Sequence, residues 1–132
     1  MEKDQIIILE GRGIVSVAGE DAREFLQNIV SNNVDKVSSI RSVFSGIFTP
    51  QGKYLFEFFL IKSMNGYLLD CDNEITQDLI DCLLKYKLRS KIEIQNLSSN
   101  YVVGIINKEK FNNIQKSISS SNQTLIYRNS PC

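Results

Sequence analysis

Residues 42–72 read SVFSGIF-TPQGK-YLFEFFLI-KSMNG-YLLDCD, and this stretch decides the fold class. The runs at 42–48 and 54–61 are short, apolar and rich in aromatic and branched residues, as strands are. Between them, Pro50 suits the second position of a type I turn, and Gly52 suits the left-handed position that closes a hairpin. Asn65-Gly66 marks a second tight turn, and 67–72 follows as a third strand. A three-strand antiparallel meander is predicted.

Towards the N-terminus, Ile6-Ile7-Ile8-Leu9 reads as a short buried strand interrupted by Gly11-Arg12-Gly13, and residues 14–18 as a second strand segment. Gly19-Glu20-Asp21 then opens a helix, its acids complementing the positive end of the helix dipole. Ala22, Phe25, Leu26, Ile29 and Val30 form one apolar face, and Ser31-Asn32-Asn33 ends it. Towards the C-terminus, Asp70, Asp72 or Asn73 caps a helix over about residues 74–89. Its stripe is Ile75, Leu79, Leu83 and Tyr86, with Ile80, Leu84 and Leu88 beside it. Strands are predicted at 92–97 and 101–106, a weaker helix at 108–119 and a last strand at 125–127. No repeat or linker interrupts residues 1–132, which read as one domain. Runs of strands separated by single helices predict an α+β fold, a mostly antiparallel sheet with helices packed on one face.

The strand at 54–61 carries more apolar surface than one core requires. Tyr54, Phe56, Phe58 and Leu60 occupy one face, and Leu55, Phe59 and Ile61 the other, with Glu57 among them. A half-solvated antiparallel strand is polar on one side. A second cover is therefore expected, from the third helix, another domain or another chain.

The 132 residues include 15 Lys plus Arg and 15 Asp plus Glu, so the net charge is zero and nothing favours direct nucleic-acid or anionic-membrane binding. There is no histidine, which removes His-based catalysis and His-containing metal sites. Cys71, Cys82 and Cys132 lack C-x-x-C spacing and suit a reducing compartment. The polar, acidic start and the absence of a span of about 20 apolar residues complete the expectation of a cytoplasmic protein.

Several groups could carry chemistry. Asp70 and Asp72 share a strand face, as an acid–base pair or as a helix-capping cluster. Glu57 is a functional carboxylate in a dry pocket, an edge-facing residue or an ion-pair partner. Lys85, Lys87, Arg89 and Lys91 either hold an anionic group or solvate a helix end. No phosphate-binding glycine loop is present.

Taken in order, five segments point further. They are residues 12–27, from Arg12-Gly13-Ile14 to Phe25-Leu26-Gln27; Asn32-Asn33-Val34; Thr49-Pro50-Gln51-Gly52-Lys53 leading into Phe56-Glu57-Phe58-Phe59-Leu60; Leu68-Leu69-Asp70-Cys71-Asp72; and Tyr86-Lys87-Leu88-Arg89-Ser90-Lys91-Ile92-Glu93-Ile94. They resemble the start of the YgfZ-type folate-binding proteins, of the glycine-cleavage T-protein (aminomethyltransferase) superfamily, whose mitochondrial relative is an iron–sulfur cluster assembly factor. The resemblance covers roughly residues 6–106.

The resemblance implies domains arranged around a pocket for tetrahydrofolate or a one-carbon derivative. It implies a non-catalytic role with iron–sulfur enzymes or assembly proteins, in bacteria including a tRNA-modifying one. It also implies that this chain is a truncated N-terminal portion. The family's Lys-Gly-Cys signature is absent, since Cys132 follows Ser130-Pro131. The missing domains, or a second chain, would cover the apolar sheet face. Family members place a side chain at Arg12 against the pterin, Gln51 and Lys53 lie on the matched hairpin tip, and Lys53 or Arg89 could meet the folate tail. Two alternatives stand beside this reading. One is a folate-dependent aminomethyltransferase, although the hairpin that carries the catalytic aspartate of T-proteins has no carboxylate here before Glu57. The other is an interaction module using the apolar sheet face.

Overall fold

The computed structural model describes residues 7–39 and 41–105, and the chain divides into two compact units. In one unit, β1 (Ile7–Leu9) pairs antiparallel with β7 (Val103–Ile105), with Ile8 opposite Gly104.

The other unit spans Gly11–Tyr101. It contains β2 (Arg12–Ala18), α1 (Ala22–Ile29), β3 (Val43–Phe48), β4 (Tyr54–Ser63), β5 (Gly66–Asp72), α2 (Thr76–Lys87) and β6 (Glu93–Asn96). The sheet order is β3-β4-β5-β2-β6, antiparallel throughout. The meander is as expected, and Gly52 closes its first turn at φ +83°. The break before β2 falls at Gly11 alone, at φ +78°, because Arg12 and Gly13 are already paired with β5. The two strands expected around Ser98-Ser99-Asn100 do not pair with each other: β6 adds to β2, and β7 pairs with β1. The helix expected at 108–119, the strand at 125–127 and Cys132 lie outside the described residues.

One sheet face and the two helices make the core. Val15, Val17, Phe56, Phe58, Leu60 and Leu69 cluster with Phe25 and Leu26 of α1 and Leu79 and Leu83 of α2. Full burial of each such side chain contributes roughly 1.5–3 kcal/mol relative to exposure. Cys71 is buried here and Cys82 partly so, and burial pushes both thiols up, away from thiolate reactivity. Gly13 is required where β2 meets α2, because a Cβ there would lie 2.0 Å from Thr76 Oγ1.

The sheet's β3 edge is closed by the chain leaving α1. Ser31 N donates to Gly46 O at 2.8 Å, Gly46 N donates to Ser31 Oγ at 3.0 Å, and Asn32 Nδ2 donates to Phe44 O at 3.0 Å. Those bonds occupy backbone groups that would otherwise pair with another strand. Just beyond, Arg23 forks onto Asp35, both contacts at 2.6 Å. The bond from the guanidinium holds the Asp35 carboxyl below its ordinary range, though full exposure limits its contribution.

The apolar stripe of α2 is shorter than its sequence suggests. Thr76, Leu79, Ile80 and Leu83 are buried, whereas Leu84, Tyr86 and Leu88 are exposed. The helix stops at Lys87, and Leu88 adopts φ +44°, ψ −114° to redirect the chain towards β6. Glycine takes such a conformation without Cβ strain. Leu88→Gly is therefore expected to raise stability by about 1 kcal/mol in urea denaturation; a loss would show that the leucine side chain is held by contacts. No described helix is long and apolar enough to cross a membrane.

Candidate functional site

The sheet face opposite the helices carries the candidate site. Strand register sets Phe44 beside Phe59, Phe59 beside Asp70, and Asp70 beside Ile14; one step along, Gly46 lies beside Glu57 and Arg12 beside Asp72. β4 and β5 are paired only from Phe59 opposite Asp70 to Ser63 opposite Gly66, so the first half of β4 diverges from the end of β5, which is left unpaired on its β4 side. An open groove of about 400 Å³ lies there; its lining includes Arg12, Phe44, Tyr54, Glu57, Phe59 and Asp72, and it reaches through the gap to Phe56, Phe58 and Ile75 of the helix side.

Tyr54 reaches this groove through an irregularity that period-2 reading does not foresee. A register shift between Ile47 and Phe48 makes Phe48 the partner of Tyr54. The Tyr54 ring crosses Gly46, where an added Cβ would sit 2.7 Å from it, and stacks on Phe48 at 4.4 Å between centroids. Alternation from Phe56 assigns Tyr54 to the core face; the bulge moves it to the other. Phe44 and Phe59 form a second aromatic pair, 5.1 Å apart and tilted by 60°. The expected second apolar face is thus divided: Ile14, Ile61 and Leu68 are buried, whereas Phe44, Phe48, Tyr54 and Leu55 are exposed.

Arg12 and Asp70 form the polar corner. Arg12 Nε donates to Asp70 Oδ1 at 2.9 Å, and Nη2 donates to Asp70 O at 3.2 Å. Asp70 is 1% exposed, so its carboxylate is withdrawn from water, while Arg12 remains partly exposed. Asp72 has a separate task, accepting from Glu74 N at 2.9 Å as the cap of the turn before α2. The two aspartates share a face without forming an acid–base pair; capping describes Asp72 and not Asp70. Glu57 is exposed in the open groove rather than held in a dry pocket.

The four nominated residues are not brought together. Arg12 lines the groove. Gln51 and Lys53 are exposed on the β3–β4 turn, where Lys53 N donates to Thr49 Oγ1, and neither lines the groove. Arg89 lies on the helix side of the sheet, in a separate depression with Phe25, Ile29 and Tyr86. Phe59 belongs to the second apolar face expected of the strand at 54–61, whereas Phe44, and Tyr54 on this face, were not foreseen. Phe44 was legible as an aromatic out of phase with the core positions of its strand.

A five-stranded antiparallel sheet with two helices on one face, and a groove on the other, is the aminomethyltransferase-like α+β fold. Residues covering 70% of this chain superpose on 26% of the glycine cleavage system aminomethyltransferase T from Bartonella henselae, with a TM-score of 0.63 and 16% identity, a likeness of fold. No protein-family model matches the chain. Sequence relatives carry the assignment further. The chain is similar to the mitochondrial iron–sulfur cluster assembly factor IBA57 homolog of Mycosarcoma maydis, 34% identical over 105 residues, and to the corresponding proteins of Dictyostelium discoideum (24% over 133 residues) and Neurospora crassa (28% over 96 residues). The matches cover 70%, 80% and 67% of this chain but only 26%, 33% and 22% of those proteins. The chain is a homologue of the IBA57/YgfZ family, spanning about a quarter to a third of the length of these relatives.

The same relatives overturn the cytoplasmic expectation, because all three are described as mitochondrial. The expectation failed for a physical reason: cysteine spacing and the length of apolar runs carry no address for one compartment.

Proposed function

We propose that this chain is the N-terminal, folate-binding portion of an iron–sulfur cluster assembly factor, and that the groove beside Arg12 takes the pterin of tetrahydrofolate or a one-carbon derivative. The observation carrying this reading is an open aromatic groove with an exposed carboxylate at Glu57. A pterin is a flat ring with adjacent N–H donors on its pyrimidine edge. Phe44, Phe59 and Tyr54 offer ring surface for stacking, and a carboxylate accepts paired N–H donors. The volume of about 400 Å³ falls within the range of small-ligand pockets. Arg12, fixed by Asp70, supplies a positioned cation at the groove wall, and Lys53 stands at the hairpin tip as a candidate for the anionic tail. The partners in this reading are iron–sulfur enzymes or assembly proteins, with further protein covering the exposed part of this sheet face.

Isothermal titration of tetrahydrofolate into the 132-residue chain tests the site. One ligand per chain is expected, with Glu57→Gln weakening it about tenfold or more through the lost charge-assisted bonds. Absence of binding, or equal affinity in the variant, overturns the assignment. The aminomethyltransferase alternative gains one observation, since Glu57 is a carboxylate in the groove at the matched hairpin. One-carbon transfer that disappears in Glu57→Gln would favour that enzyme; folate binding without transfer favours the accessory role.

A further inference from the structure

The groove beside Arg12 has a charge pattern that stacking of a pterin does not by itself require. Among its lining residues three are charged: Arg12, Glu57 and Asp72. Arg12 is the only cation of the three, and its guanidinium is engaged with Asp70, Nε lying 2.9 Å from Oδ1 of a carboxylate that is 1% exposed. That pair is neutral as a unit, so the other two carboxylates set the sign of the field in the groove. Glu57 is exposed and forms no ion pair among the described residues. Asp72 accepts from Glu74 N at 2.9 Å, a bond to a neutral donor that leaves its charge in place. The wall beside them is aromatic, with Phe44, Tyr54 and Phe59 on the same side of the sheet as Glu57. Ring faces carry the negative part of the aromatic quadrupole and attract cations. Two carboxylates could instead serve a metal ion, but among the described residues no group of three metal-ligating side chains occurs.

We infer that the groove selects a flat organic cation, its charge spread over the ring system, against a neutral ring of similar shape. Aromatic faces meet the charged ring, and Glu57 and Asp72 stabilise it through space. Phe56 and Phe58, reaching the groove through the strand gap, exclude water from that side and reduce screening there. The identity of the natural ligand rests on the folate reading above. Among one-carbon derivatives of tetrahydrofolate, the form whose N5 and N10 are bridged by a methine carbon is such a cation, an amidinium within the fused rings. The form with a formyl group on N5 has the same carbon oxidation level and no charge on its rings. The anionic tail is common to both forms, so the difference between them reads the groove.

Two matched pairs of probes test this on the full chain. The first is 5,10-methenyl- against 5-formyl-tetrahydrofolate, by isothermal titration in mildly acidic buffer that slows hydrolysis of the methenyl bridge. The second is N-methylquinolinium against quinoline, flat rings without a folate scaffold, followed by backbone amide shifts. In each pair the cation is expected to bind about five- to tenfold more tightly. The quinolinium shifts are expected at Phe44, Glu57 and Phe59. In Glu57→Gln, with its unfolding midpoint checked, each ratio should fall to about twofold whatever happens to overall affinity, because only Asp72 then remains charged. Equal affinities within the quinoline pair, or a ratio that Glu57→Gln leaves intact, overturns the proposal. A cation preference in the quinoline pair with neither folate bound keeps the cation site and overturns the folate reading. Folate binding with no preference in either pair does the reverse.

Discussion

Phe58→Ala is expected to cost about 3–5 kcal/mol, a large part of the stability of an ordinary domain. Phe58 is 1% exposed, at the centre of the face that packs against α1 and α2. Truncation removes the transfer free energy of the ring and leaves a cavity that a sheet flanked by strands on both sides relaxes into poorly. A fall in thermal midpoint of about 10 °C or more is the expected reading. The informative comparison is Phe44→Ala, on the opposite face and partly exposed, which should change the midpoint far less while weakening tetrahydrofolate. Equal destabilisation by the two changes would contradict the assignment of the two faces.

Arg12→Ala is the second large effect, at about 2–4 kcal/mol. The change leaves the Asp70 carboxylate, 1% exposed, without the guanidinium that meets it through Nε and Nη2. The lower part of the range reflects the partial exposure of Arg12 itself. Lysine keeps the charge but lacks the two-pronged geometry that reaches both the side chain and the carbonyl of Asp70, so Arg12→Lys should recover only part of the loss. Urea denaturation of the two variants decides: full recovery by lysine would mean that charge alone matters, and no loss in alanine would mean that the pair is structurally idle. Because Arg12 borders the groove, its removal should also lower folate affinity, by an amount to be compared among samples that remain folded.

The meander was legible because its signals are local. Pro50, Gly52 and Asn65-Gly66 set the turns, and continuous apolar runs allow little but buried strand between them. The face of α1 followed from 3.6-residue spacing in the same way. The limits of the apolar stripe of α2 did not, because periodicity shows which residues share a flank and not where the packed layer beneath them ends. Leu84, Tyr86 and Leu88 therefore read as core and prove exposed. The groove was half legible. Glu57 stood out as a carboxylate in an apolar strand, and Arg12 through the family resemblance, but Gln51, Lys53 and Arg89 carried no spatial information. The structure leaves Gln51 and Lys53 on a turn outside the groove and puts Arg89 across the sheet from Arg12.

By itself the amino-acid sequence determined the α+β class, the order of elements in the described part and the exclusion of histidine chemistry, since each depends on composition or on neighbours within a turn or two. Tertiary structure decided the rest. It inserted β2 between β5 and β6, joined Arg12 to Asp70 across 58 positions of chain, and used one extra residue in the β3–β4 pairing to move Tyr54 from the core face to the groove. These are consequences of long-range pairing and register, and a one-residue shift reverses the direction of a side chain without changing anything that local periodicity can register.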